Sequence, residues 1–389
     1  MRIGGGEGHR LEERILGFID ATGRAGESEG DRFDALALEV FAWQFTHNAP
    51  YRRFCLSRGV DLAALPPGFS WQSVPAIPTD AFKVAALATF PVEQAVRTFR
   101  TSGTTQVRRG EHHFLTTALY DAAIVPWFRR YMLPDGVVLP ILSLIPSPET
   151  AEDSSLSHMV GVLASRKDVC GGRIRYFLDR SGMDLEGLEA VLRDAAATGR
   201  PVMLLTTAVA LAHLFDERPS LSVSLPPGSR VMQTGGTKGY HRVLEGEELI
   251  VWVHERLGIP PTHCVAEYGM TELSSQMYET VLWDEVVSVA GKGSGEGEVS
   301  SHSPRPRRFV GPPWLRCQVV DPVTETPMPP GEPGLIRFFD LANLHSVSAV
   351  QTGDVGLIDS RGLVLLGRAA AAEPRGCSLT AGELLEGGG

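Results

Sequence analysis

Three strings in this chain hold residues that could handle a phosphorylated nucleotide: TFRTSGTTQ at 98–106, AEYGMTE at 266–272 and QTGD at 351–354. The first crowds hydroxyls around a glycine. Backbone N–H groups in such a loop can turn inward around an anion, while Thr101, Ser102, Thr104 and Thr105 add donors. No lysine follows the glycine in the G-x-x-x-x-G-K-[ST] spacing, which excludes a Walker A loop. A Ser/Thr/Gly cluster by itself is also ordinary turn chemistry. What argues for a site is order: the hydroxyl loop in the first third, Tyr-Gly-Met-Thr-Glu two thirds along, then Thr-Gly-Asp and Gly367-Arg368 near the end.

In that order the strings resemble the acyl-adenylate-forming superfamily of acyl-CoA ligases and luciferases. Neighbouring strings narrow the likeness: IPTDAFK (77–83), SSLSHM (154–159), QTGGTKG (233–239), GPPWLR (311–316) and EPRGCSL (373–379) are similar to the LuxE-like luminescence acyl-protein synthetases, over roughly residues 70–384. The resemblance implies an α/β fold, the N-terminal domain of an adenylate-forming enzyme, with helix-covered mixed sheets plus a small β-rich subdomain. It also implies that the usual C-terminal domain is lacking. In the superfamily that domain carries a lysine that reaches the reacting carboxylate, and the residues after Arg368 contain none. One departure falls in the phosphate loop, where Gln106 stands in place of the closing glycine; a positive φ there would cost Gln what it spares Gly.

The resemblance also distributes roles. Ser102, Gly103, Thr104 and Thr105 would hold the β- and γ-phosphates of ATP, with Thr101 also in the ATP site, Thr271 would bind an α-phosphate oxygen, and Glu272 the Mg²⁺ ion, a hard cation that prefers carboxylate oxygen. Asp354 would accept from the ribose hydroxyls, although Gly-Asp is also good turn chemistry. Arg368 would lie close to the nucleotide. Gly235, Gly236 and Tyr268 would wall the adenine, with Tyr268 stacking through its flat face; Gly269 would belong to the same ATP site, while Glu267 reads as solvated. Cys377 is the candidate acyl acceptor, its thiolate favoured by Arg375 two residues away; the alternative is a buried, inert thiol. His112 and His113 after the phosphate loop, and His158 after the double serine, show no metal-ligand spacing, and a structural role suits them equally.

The activity implied is ATP-dependent conversion of a carboxylic acid, by resemblance a fatty acid, to its acyl-adenylate, with Thr271 and Glu272 catalytic and ATP and Mg²⁺ as cofactors. Acyl transfer to a protein cysteine would follow, either Cys377 or that of an acyl-accepting partner protein such as a reductase. An aryl- or acyl-CoA or amide ligase of the phenylacetate-CoA ligase type is the alternative, and a catalytically decayed nucleotide-binding subunit is a reading of another class.

Composition fits a cytoplasmic enzyme. A formal net charge of -10 and a pI near 5.6 argue against nucleic-acid binding, which needs clustered Lys and Arg. The one basic run, Arg305 to Arg308, reads as a solvated loop. Five scattered cysteines without a C-x-x-C pair argue against zinc sites and disulfides and for a reducing compartment. No apolar run approaches the ~18 residues of a membrane span.

The elements that must position these residues are partly visible. Residues 1–30 read as a mobile N-terminal tail. Within 31–288, an α/β core carrying the phosphate loop and nucleotide site, Phe33, Leu36, Leu38, Val40 and Phe41 line one side of a helix over 32–49. After it come an apolar run VVLPILSLI, a helix around 185–198, the strand PVMLLTT, a helix over 209–215, and RVMQTGG, a strand running into a glycine turn. Ligands of open α/β sheets sit at such carboxyl ends. Residues 289–313 form a Gly/Ser/Pro/Arg-rich loop. WLRCQVV, GLIRFFD, VGLID and LVLLG read as strands of a β-rich subdomain over 314–368, and 369–389 is a C-terminal tail with Cys377.

Overall fold

The computed structural model describes residues 5–25, 30–102, 108–236, 246–291 and 307–369, so Gly103, Thr104, Thr105, Gln106 and Cys377 lie outside the described residues. The chain folds as two compact units that are not consecutive in sequence, unlike the linear division expected. One comprises Met1–Pro126, Met270–Gln276 and Gly311–Gly389, the other Trp127–Gly269 and Met277–Val310.

The second unit is built on parallel strands lying side by side in the order Ile174–Tyr176, Ile141–Ser143, Met203–Thr207, Arg230–Thr234 and Cys264–Tyr268. Met277–Glu279 pairs antiparallel with the last of these, and Phe309–Val310 pairs antiparallel with Met277–Glu279. Continuous apolar strands of this kind belong in sheets buried on both faces, and Met203, Leu204, Leu205, Val231 and Met232 are all sealed from solvent. Helices alternate with the strands. Leu185–Thr198 begins where the Asp184 carboxylate accepts from Gly187 N–H at 2.9 Å and ends at Gly199, which is left-handed and returns its N–H to the last carbonyls. Its Leu188, Leu192 and Ala195 share one face and pack into the core that also holds Leu204, Leu211 and Val231. Thr207 ends a strand and caps the helix Ala208–Glu217, its hydroxyl accepting from Ala210 N–H at 3.1 Å.

In the first unit the strands Leu315–Val320, Gly334–Asp340, Ala349–Asp359 and Gly362–Arg368 form an antiparallel run in that order. Ile77–Pro78 joins Ala349–Asp359 in parallel. A separate hairpin pairs Arg97–Arg100 with Glu111–Phe114. The helix Gly30–His47 buries Phe33, Leu36, Ala37, Val40, Phe41 and Phe45, with Leu38 half-buried. Its Gln44 donates to the carbonyls of Asn343 (2.9 Å) and Leu344 (3.1 Å) and accepts from Ser348 N–H at 3.0 Å, tying the helix to the loop between two strands.

Two expectations are corrected. Residues 5–25 are not a tail but the helix Gly5–Ala25, which buries Leu11, Ile15, Phe18 and Ile19. Those residues recur at i, i+4, i+7 and i+8, the period of one helical face. The end of the basic run is not solvated either. Arg308 is buried, and Arg307 holds the buried Glu279 through Nε at 2.8 Å and Nη2 at 2.6 Å. No described helix is long and apolar enough to cross a membrane.

Candidate functional site

In the first unit the hairpin carries the hydroxyl loop between its arms. The register sets Thr98 opposite His113 and Arg100 opposite Glu111. Beyond the last pair, Thr101 N–H donates to Gly110 O at 3.0 Å and Thr101 Oγ1 accepts from Gly110 N–H at 2.8 Å. Arg109 adds Nε to Thr101 O at 2.6 Å. The loop is thereby pinched at its base. Gly110 permits that approach, because a Cβ there would stand 3.1 Å from Thr101 Cγ2 and 3.3 Å from Phe82 Cβ. Thr101 and Ser102, at the mouth of the loop, are the described members of the group expected to bind phosphate.

Thr271 and Glu272 lie on the segment Met270–Gln276, which is fixed almost wholly by buried polar groups of the same unit. His112 Nδ1 bonds the Thr271 carbonyl at 2.8 Å, and Asn343 Nδ2 donates to the Glu272 carbonyl at 2.8 Å. Asp340 accepts from Ser274 N–H at 2.9 Å and from the Ser275 hydroxyl at 2.8 Å, and it also caps the turn that follows it through Ala342 N–H at 3.0 Å. Burial raises the Asp340 carboxyl to about 6 in spite of those donors. A cavity of about 10 Å³, room for one water, is lined by His112, Ser274 and Asn343 among others. Ser274 Oγ and Asn343 Oδ1 have no hydrogen-bond partner among the described residues.

Glu272 itself is 8% exposed. Burial pushes its carboxyl up to about 7; its own backbone N–H, then Lys83 and Arg368, pull it down, and Asp80 pushes it up again. Lys83 is meanwhile paired with Asp80 at 2.7 Å. Among the described residues no group of three or more His, Cys, Asp or Glu could hold a metal ion. A single buried carboxylate short of counter-charge nevertheless suits Mg²⁺, which commonly takes one or two carboxylates and completes its shell from phosphate and water.

Asp354 and Arg368 are brought together. They face each other in register on adjacent strands, and Arg368 Nε donates to Asp354 Oδ1 at 2.9 Å. Asp354 sits in mid-strand, just before an irregularity between Val355 and Gly356, not at a strand end. Thr352 of the same string braces it: its Oγ1 donates to Ile336 O at 2.8 Å and accepts from Asp354 N–H at 3.1 Å.

The second unit holds the residues expected around an adenine. Arg230–Thr234 runs into Gly235, whose φ of +71° suits glycine, and both Gly235 and Gly236 are exposed. Tyr268 closes the neighbouring strand half-buried, with Phe309 edge-on at 5.9 Å between ring centres. Gly269 follows it. Glu267 is not solvated. It lies in the interior strand Cys264–Tyr268, is 6% exposed, accepts a short hydrogen bond from the Thr234 hydroxyl, and is raised by burial to about 7. Cys264, at the start of that strand, is buried and its thiol is pushed up to about 12. His158 belongs to the helix Ser155–Ser165, capped by Ser154 Oγ accepting from Ser157 N–H at 3.1 Å.

His112, Asp340 and Asn343 were not foreseen as parts of this arrangement. The doubled histidine after the phosphate loop was the only available signal, since D-L-A-N at the end of an apolar strand looks like turn chemistry.

No family model and no curated protein sequence matches the chain. Solved structures do. The structure of 2-hydroxyisobutyryl-CoA ligase in the postadenylation state, in complex with 2-HIB-AMP, is similar with a TM-score of 0.57 and 15% identity, covering 88% of this chain and 69% of that one. ATP-bound MatB from Rhodopseudomonas palustris (TM-score 0.45, 16% identity) and the long-chain-fatty-acid-CoA ligase FadD1 from Archaeoglobus fulgidus (0.46, 17%) each match 72% of this chain. The chain spans about half the length of those two, 49% and 52%. The fold is that of the N-terminal domain of adenylate-forming ligases, with helices on a large mixed sheet.

Proposed function

We propose that the protein activates a carboxylic acid with ATP, forming an acyl-adenylate and pyrophosphate, and passes the acyl group to a protein thiol in the manner of LuxE-like acyl-protein synthetases. The observation that carries the reading is in the first unit: the carboxyl of Glu272, buried at 8% exposure on a turn fixed by His112 and Asn343, together with Asp354 locked by Arg368. Carboxylate attack on an α-phosphorus needs positioning and charge neutralisation more than covalent help. Glu272 would hold Mg²⁺, which when bound would supply positive charge beside the phosphates. Thr101 and Ser102 would open the phosphate cradle, Thr271 would donate to the α-phosphate, and Asp354 would accept from ribose hydroxyls. Gly235, Gly236, Tyr268 and Gly269 would form the adenine wall, and the bare, exposed glycines suit a flat base.

A second reading, delivery of the adenylate to coenzyme A, is favoured by the CoA ligase of similar fold and by the burial that raises the thiols of Cys55 and Cys264 to about 12 and also raises that of Cys317. Acid-dependent ATP–pyrophosphate exchange over a panel of fatty and aromatic acids tests activation. Labelled acid then separates the acceptors: label on protein supports the first reading and a soluble thioester the second. Absence of exchange with every acid would overturn both.

A further inference from the structure

The turn bearing Glu272 is held by the two peptide planes that flank its Cα. The preceding carbonyl, that of Thr271, takes the N–H of His112 Nδ1; the following one, that of Glu272 itself, takes the Asn343 amide, which also donates to Val347 O at 3.1 Å. Fixing both planes fixes the backbone angles of Glu272 and hence the direction of its Cα–Cβ bond. Leu273 N–H closes the turn on Met270 O at 3.1 Å. We propose that His112 and Asn343 are positioning residues that aim the Glu272 carboxylate at the magnesium–nucleotide complex, without touching either themselves. The inference rests on the reading that Glu272 meets Mg²⁺.

The surroundings of His112 make the N–H the reason for the residue. The ring is 1% exposed and lies 4.3 Å from Phe114 and 5.7 Å from Phe82, centre to centre, a niche that phenylalanine would fill as well. A carbonyl can only accept, so Nδ1 carries the proton and Nε2 does not. Burial keeps the imidazole neutral, at about 4, and the donor is therefore the same throughout the neutral range. Asn343, 2% exposed, spends both amide hydrogens on carbonyls. Groups that orient a metal ligand without touching the metal typically cost about 10- to 100-fold in metal affinity when removed.

The test compares His112→Phe with His112→Asn, whose amide nitrogen stands close to the place of Nδ1. ATP affinity is measured by titration calorimetry in Mg²⁺ and in EDTA, alongside thermal unfolding and ATP–pyrophosphate exchange. The expected result is that the Phe variant keeps the wild-type unfolding midpoint and EDTA affinity but loses about tenfold or more of the gain conferred by Mg²⁺, and that the Asn variant recovers most of it. A Phe variant with the full Mg²⁺ gain overturns the proposal, as does equal loss in both variants with a lowered midpoint, which would make His112 a packing residue. Should His112→Phe not fold, Asn343→Ser decides by the same ratio. A wild type with no Mg²⁺ gain also overturns it. A wild type that gains affinity from Mg²⁺ yet exchanges with no acid overturns the adenylation reading and leaves the positioning role to be judged on affinity alone.

Discussion

Arg368 and Asp354 stand directly opposite each other on adjacent antiparallel strands, and the guanidinium Nε of one donates to the carboxylate of the other at 2.9 Å. The arginine is 70% exposed while the aspartate is only 15% exposed, so the pair turns a half-sheltered acceptor toward solvent with its rotamer already chosen. An exposed pair of this kind contributes little to stability, on the order of 0–1 kcal/mol. Its value is orientation.

Asp354→Ala is therefore expected to leave thermal unfolding almost unchanged while raising the apparent KM for ATP. Loss of hydrogen bonds to a charged acceptor typically costs about 1.5–3 kcal/mol, roughly tenfold or more in affinity. Steady-state kinetics against ATP checks it, and an unchanged KM would leave Asp354 a strand residue only.

Glu272→Gln should abolish the Mg²⁺-dependent exchange and, separately, alter how stability responds to pH. The folded-state value of about 7 lies above the ordinary 4.5, so the native state holds this proton the more tightly. Its contribution is fully present below about 4.5 and is lost as pH rises through 7. The glutamine variant, neutral throughout, should match the wild type near pH 4.5 and exceed it at pH 8 by about 1–3 kcal/mol. Urea unfolding at the two pH values is the measurement, and a variant less stable at pH 8 would contradict the assignment.

Gly110→Ala places a methyl against Thr101 Cγ2 and Phe82 Cβ at the base of the hydroxyl loop. At 3.1 and 3.3 Å both contacts are tighter than usual, so Thr101 or Phe82 must give way and the pinch is strained. A stability loss of about 1–3 kcal/mol, typical of overpacking, is expected together with weaker ATP binding. Retained stability and affinity would show that the pinch is not needed.

Cys377→Ser should keep ATP–pyrophosphate exchange, because adenylation precedes thiol attack, and lose a hydroxylamine-labile acyl label, because serine without a base is a poor nucleophile. Label persisting on the variant would remove Cys377 as the acceptor. Transfer of the label to Cys264 is not expected, since that thiol is buried and held at about 12.

Much of the frame was legible in the residues. The helix expected around 185–198 is present as Leu185–Thr198, and each of the four strands expected after residue 313 is present. What was illegible shares one cause: a polar side chain looks solvated until tertiary structure surrounds it. Glu267 and Arg307 were read as solvent-facing, yet one lies in an interior strand and the other grips a buried glutamate. Asp340, His112 and Asn343 do their work on backbone groups more than sixty residues away in some cases, a relation that no local spacing encodes. The helix at Gly5–Ala25 was missed because its glycine-rich beginning outweighed the period of Leu11, Ile15, Phe18 and Ile19.

Three of the buried carboxyls, Glu267, Glu272 and Asp340, change what the protein does to the solution around it. A formal charge of -10 counts every Asp and Glu as ionised, but Glu267 and Glu272 titrate near 7 and Asp340 near 6. At neutral pH these three carboxyls together hold about one proton that they would have shed in an unfolded chain. A metal arriving at Glu272 must expel its share of that store. Binding heat measured in buffers of different ionisation enthalpy would then differ by the released fraction, making the buffer itself a reporter of whether the carboxylate has met its cation.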